Sequence, residues 1–143
     1  MAVSPFKKFD CFVEDVAEKK HDLSADALKV MLTVNLPSAA NTVRTDITDL
    51  STANGYTNGG SAVPAGRTSA QTSGTYKLVL PDVTFTATGA VGPFRYAVLY
   101  NTVGTQPLIG WWDNGASVTL ANTESFVVDF DGSAGVLTIT SPP

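Results

Sequence analysis

The chain has 143 residues, the length of one ordinary domain. Hydrophobic residues make up 43% and charged residues 15%. A typical soluble domain carries ~25% charged residues, and a disordered acidic or basic chain carries more still, so that class is excluded. Nine basic against thirteen acidic residues leave a net charge of −4. That balance argues against nucleic acid as a partner, because phosphate binding needs clustered Lys and Arg. Cys11 is the single cysteine, so neither an internal disulfide nor a cysteine-based metal site is expected. No apolar run approaches the ~18 residues of a membrane span, and the first eight residues lack the apolar core of a signal peptide. The expectation is synthesis in the cytoplasm and no membrane partner.

Charge is unevenly placed. Residues 1–50 hold 14 of the 22 charges, and no Lys or Arg follows Arg95. This suggests a polar N-terminal arm, residues 1–27, leading into a β domain, residues 28–143. In the arm, Phe6, Phe9, Phe12, Val13 and Val16 recur at steps of three and four, the spacing of one helical face. A helix over roughly 9–20 is predicted, with an extended strand over residues 12–16 as the alternative.

Beyond the arm the period becomes two. Leu28, Val30, Leu32 and Val34 alternate with Lys29, Met31, Thr33 and Asn35, which predicts a strand with one buried face, ended by Pro37. A weaker strand is expected over Thr42–Thr48. The run from Asn54 to Gly60 is loop by composition, and residues 61–75 read as loop with one edge strand. Short strands then follow over 76–80, 83–88, 94–101, 108–113, 117–120, 125–130 and 136–140. Asn114-Gly115 and Asp131-Gly132 sit where tight turns are expected. With 18 Thr and 16 Val suited to pleated sheet, the prediction is a mainly β, single-domain antiparallel β-sandwich or jelly roll with the N-terminal arm as helix or strand. An open barrel is the second architecture.

The residues offer little chemistry. His21, the sole histidine, lies among Lys19, Lys20 and Asp22 and reads as a solvated surface residue, whereas a hydrolytic triad needs a histidine held between nucleophile and acid. Cys11 reads as a small buried hydrophobe. The run from Asp129 to Gly132 lacks the later oxygen ligands of a calcium loop. No glycine loop is followed by the Lys-Ser/Thr pair of a phosphate cradle. No enzyme activity, cofactor or metal is therefore expected. Trp111 and Trp112 point to opposite faces of a strand, so one should be core and the other exposed or covered by a partner. Tyr96 and Tyr100 share a face with Phe94 and Val98. These aromatics suit a protein interface, with a glycan-stacking face as the alternative.

Five runs, residues 12–18, 28–33, 53–60, 94–101 and 107–113, resemble a group of small structural proteins of tailed bacteriophages. The likeness spans nearly the whole chain in the same order and carries no catalytic signature; residues 61–75 depart from the more strand-like sequence of the group. The resemblance implies a virion component made in the host cytoplasm, best read as a capsid decoration or cement protein on the capsid surface. Its partners would be the major capsid protein and further copies of itself, as a homotrimer on three-fold positions. Contacts would come from Phe6, Phe9, Phe12, Val13, Tyr96, Tyr100, Trp111 and Trp112, with the arm reaching a neighbour. Deleting residues 1–20 is then expected to abolish attachment and leave the β domain folded. A tail or fibre-associated adhesion module, and a tail-tube or connector subunit, are the rival expectations.

Overall fold

The computed structural model describes residues 5–141. In chain order it contains β1 (Lys7–Lys8), α1 (Cys11–Ala17), β2 (Leu28–Thr33), a 3-10 turn (Arg44–Asp46), β3 (Ser61–Ala62), β4 (Thr68–Thr72), β5 (Thr75–Val79), β6 (Val83–Thr86), β7 (Val91–Asn101), β8 (Leu108–Leu120), β9 (Ser125–Val128) and β10 (Leu137–Thr140). The principal sheet has the order β1-β8-β7-β2-β3. A three-stranded sheet, β10-β5-β4, and the pair β6-β9 complete the strands, and all pairings are antiparallel. The chain is thus mainly β and sandwich-like, as its β-branched content and turn spacing predict.

The larger core lies between the principal sheet and the two smaller ones. Val30, Leu32, Leu99, Ile109 and Trp112 meet Leu78, Val83, Phe85, Phe126 and Phe130 there. The opposite face of the principal sheet is also covered. Met31, Val98, Tyr100, Leu108 and Trp111 pack with Phe9 and Ile47 in a second cluster. The expectation of one buried face for β2 is therefore corrected: Met31 and Thr33 are as fully enclosed as Val30 and Leu32.

The cover for that second face comes from the arm, which is part of the body. β1 pairs with β8, setting Lys7 against Trp111 and Lys8 against Gly110. Phe6 packs on Trp112 and Phe9 on Trp111, each with ring centroids 4.6 Å apart. Gly110 permits this approach, since a Cβ there would stand 2.2 Å from the Phe6 ring and 2.4 Å from the Lys7 carbonyl oxygen. An arm separable from residues 28–143 is thus not what the chain folds into.

The predicted helix is present but shorter, ending at Ala17, with Lys19 in the left-handed region at φ 63°. Its buried face differs from the predicted one. Phe12 and Asp15 point inward, whereas Val13 is 71% exposed. The expected strand over Thr42–Thr48 is instead the 3-10 turn, flanked by a single bridge from Val43 to Pro107. Residues 61–75 hold β3, β4 and the start of β5, more strand than composition suggested.

Asn114-Gly115 makes a bulge instead of a hairpin turn. Between Phe94 and Tyr96 the chain advances two residues on β7, while the partner register moves five residues on β8, from Val118 to Asp113. The extra residues are accommodated at Gly115, whose φ of 88° suits a residue without Cβ. Two predicted strands thereby become one, and the irregularity separates faces. Phe94 enters the larger core and Tyr96 the smaller cluster, so they do not share a side.

Candidate interaction surface

Seven of the eight residues expected at an interface are engaged inside the chain. Phe9, Phe12, Tyr96, Tyr100, Trp111 and Trp112 are buried, and Phe6 is partly buried against the larger core. Trp112 also meets Phe130 at 5.2 Å between centroids. The Tyr100 hydroxyl donates to the Gly59 carbonyl oxygen at 2.6 Å. Both tryptophans are core because the arm covers one face of β8 and the smaller sheets cover the other. Val13 alone of the eight is an exposed side chain.

Groups capable of chemistry are likewise committed. His21 is not a surface residue: its side chain is fully enclosed, packed 5.6 Å from the Phe12 ring. Burial lowers its pKa, outweighing the attraction of Asp15 and Asp26 for a charged ring. The Cys11 thiol faces the carbonyl oxygens of Asn41, Thr42 and Leu108 at 3.7–3.9 Å. Desolvation, helped by the negative Asp15, pushes the thiol up to about 11, so it stays protonated and a poor nucleophile. Asp113 receives the Arg95 guanidinium on both oxygens, at 2.8 and 3.0 Å, and that hydrogen bonding holds its carboxyl at about 2. Asp131 accepts the amides of Ser133 and Ala134, which makes the expected turn. Among the described residues, no three His, Cys, Asp or Glu side chains converge as a metal-binding group.

One buried network escaped sequence reasoning. Asp49 accepts from the Tyr56 hydroxyl, the Gly59 amide and Arg44 Nη2, and Tyr56 in turn accepts the Leu32 amide at 3.0 Å. Arg44 Nη2 also donates to Asn58 Oδ1 at 2.6 Å. The network pins residues 44–60 across β2. The only sequence signal was an aromatic and an Asn set between glycines in an otherwise loop-like run.

One open surface lies between α1 and the three-stranded sheet. A groove of about 550 Å³ is lined by Val16, Lys19, His21, Leu23, Tyr76 and Ile139, with Asp22 and Ser24 at its polar side. It adjoins a second recess of about 340 Å³ between Lys8, Phe12, Val13 and Thr140. Val16 and Ile139 belong to both. Ile139 faces the same side of β10 as the buried Leu137, yet it is 39% exposed, because the larger core ends short of it. β10 pairs with β5 on one side and forms an edge of its sheet. Lys8 Nζ reaches across to the Thr138 carbonyl oxygen at 3.3 Å. Apolar side chains beside a strand edge can hold an extended segment of another chain.

Compared with family models, with curated proteins and with solved structures, the chain shows no match to any. No helix among the described residues is long and apolar enough to cross a membrane.

Proposed function

We propose that this protein is a non-enzymatic structural component of a tailed-phage particle, a decoration protein that grips the major capsid protein and stabilises the head. The observation that carries the reading is the groove between α1 and β10, where Val13 and Ile139 lie exposed beside a one-sided strand. The likeness of five sequence runs to small phage virion proteins supports it. So does the commitment of His21, Cys11 and Asp113 to internal contacts, which leaves them serving the fold.

In this reading the gripping residues are not the core aromatics but the exposed apolar side chains of α1 and β10. The mechanism is added contact area across seams between capsid subunits, with several weak contacts per oligomer making the loss of any one reversible. A homotrimer fits three-fold positions of such a lattice. The glycan-binding alternative loses its platform, since the rings of Tyr96, Tyr100, Trp111 and Trp112 are buried. A tube or connector role calls for a long hairpin leaving the body, whereas β7 and β8 form the centre of the principal sheet.

The test is the location of the protein on purified particles. Labelling the chain and imaging intact virions is expected to place many copies on the head, in a fixed ratio to the major capsid protein. Localisation at the tail tip alone, or absence from particles, overturns the proposal.

A further inference from the structure

The connector between α1 and β2 is tied to the end of β7 at two places. Thr102 gives its amide and hydroxyl to the Ala27 carbonyl oxygen at 3.0 and 2.8 Å, and the Asn101 side chain holds residues 20–26. Asn101 Oδ1 accepts the Val103 amide at 2.9 Å. That bond turns Nδ2 toward the connector, where it meets Asp26 Oδ2 at 2.6 Å, the Lys20 carbonyl oxygen at 3.3 Å and His21 Nδ1 at 3.2 Å. Of the two Nδ2 protons, one goes to Asp26 at the short contact and the other is shared between Lys20 and His21. Because Nδ2 can only donate, Nδ1 is the accepting nitrogen and the ring proton belongs on Nε2. The site thus reads the imidazole as neutral. Adding a proton at Nδ1 sets two donors face to face on a side chain that has no exposed surface.

We infer that His21 and Asn101 form an acid-sensitive anchor, which holds the α1–β2 connector on β7 at neutral pH and releases it on mild acidification.

Charges around the ring do not rescue the protonated form. Asp15 of α1 lies nearest, with Oδ2 4.0 Å from Nε2, too far for a hydrogen bond. Its other oxygen is held by Lys20 Nζ at 2.9 Å, which offsets its charge. Asp26 is occupied by Asn101 and by the Asp22 amide at 2.7 Å. From β8 the Leu108 carbonyl oxygen lies near the ring without a hydrogen bond to Nε2, and Tyr76 of β5 lines the same groove. Arg67, ahead of β4, binds the Leu23 carbonyl oxygen at 2.9 Å and adds positive charge to the same connector. Glu18 is engaged by Lys20 at the surface.

The sign follows from the neutral ring. An unfolded or released His21 binds a proton near pH ~6.5, whereas the anchored ring binds one only at lower pH. Anchoring is therefore complete above that value and weakens as pH falls between the two. Across that window the released fraction rises about tenfold per pH unit.

His21 is the only histidine, so its ring resonances can be followed by NMR without assignment ambiguity. The expected result on the intact chain is an Nε2–H tautomer titrating below pH ~6.5, with hydrogen exchange over residues 12–26 accelerating in step. Exchange over β8 is expected to stay slow. In His21→Gln the exchange of residues 12–26 is expected to lose its pH dependence between about pH 7.5 and about pH 5, once intrinsic rates are divided out. A protonated Nδ1 at neutral pH, a pKa at or above ~6.5, or unchanged connector exchange in the wild type overturns the inference. If the Gln variant does not fold, the wild-type titration and exchange decide alone.

Discussion

Tyr56 shows how much one side chain can hold. Its hydroxyl donates to Asp49 and accepts the Leu32 amide, and burial together with the Asp49 contact raises its pKa far above the usual phenol range. Tyr56→Phe keeps the ring but strands a buried amide and a buried carboxylate oxygen, so a loss of about 1–3 kcal/mol is expected in denaturant unfolding. Asp49→Ala removes the acceptor of three donors and is expected to cost more. The Arg95–Asp113 pair gives a pH-dependent counterpart at the surface. The Asp113 carboxyl sits at about 2, below the ~3.9 of a free Asp, so the pair stabilises the fold above that value. That contribution is lost as pH falls toward 2. Arg95→Ala is expected to raise the Asp113 pKa and flatten stability over this window, as read by NMR titration and acid unfolding.

The N-terminal element behaves as part of the sheet. Deleting residues 1–20 would uncover Trp111 and Trp112 and remove Phe9 and Phe12, which are 2% and 1% exposed. The truncated chain is therefore expected to lose cooperative unfolding, not merely its attachment, and calorimetry checks this. Phe9→Ala alone is expected to cost about 3–5 kcal/mol. Gly110→Val would drive a side chain into Phe6 and the β1 backbone, so it is expected to release β1 and expose Trp112 to fluorescence quenchers. Helical spacing alone does not set the buried face of α1. Phe9, Phe12, Val13 and Val16 satisfy helical spacing, but Phe9 lies before the helix begins. The actual inward pair, Phe12 and Asp15, mixes an aromatic with a carboxylate whose charge Lys20 offsets at 2.9 Å.

At the scale of the molecule, both faces of the principal sheet are buried, which accounts for a low charge content without invoking a partner. Among the exposed large apolar side chains, Val13 and Ile139 flank the groove between α1 and β10, whereas Val34, Leu36, Val103 and Val127 lie elsewhere. Val13→Asp is expected to change stability by no more than about 0.5 kcal/mol, because Val13 is 71% exposed, and Ile139→Asp, on a strand and 39% exposed, to cost about 1 kcal/mol. Both are expected to lower the occupancy of particles, and quantitative gels of purified heads measure it. Normal occupancy in both variants would move the contact surface elsewhere.

The amino-acid order by itself determined the antiparallel β class, the position of β2 and most later strands, and the turn at Asp131-Gly132. Those properties follow from alternation and turn chemistry, which act between near neighbours. Tertiary structure decided the rest. It placed both tryptophans in the core, made the arm a strand and a cover, turned Asn114-Gly115 into a bulge and buried His21 beside Asn101. Each of these depends on residues 17 to 106 positions apart meeting within or across sheets, from Tyr96 beside Asp113 to Phe6 against Trp112. Local periodicity carries no record of which surface will arrive to cover a given face.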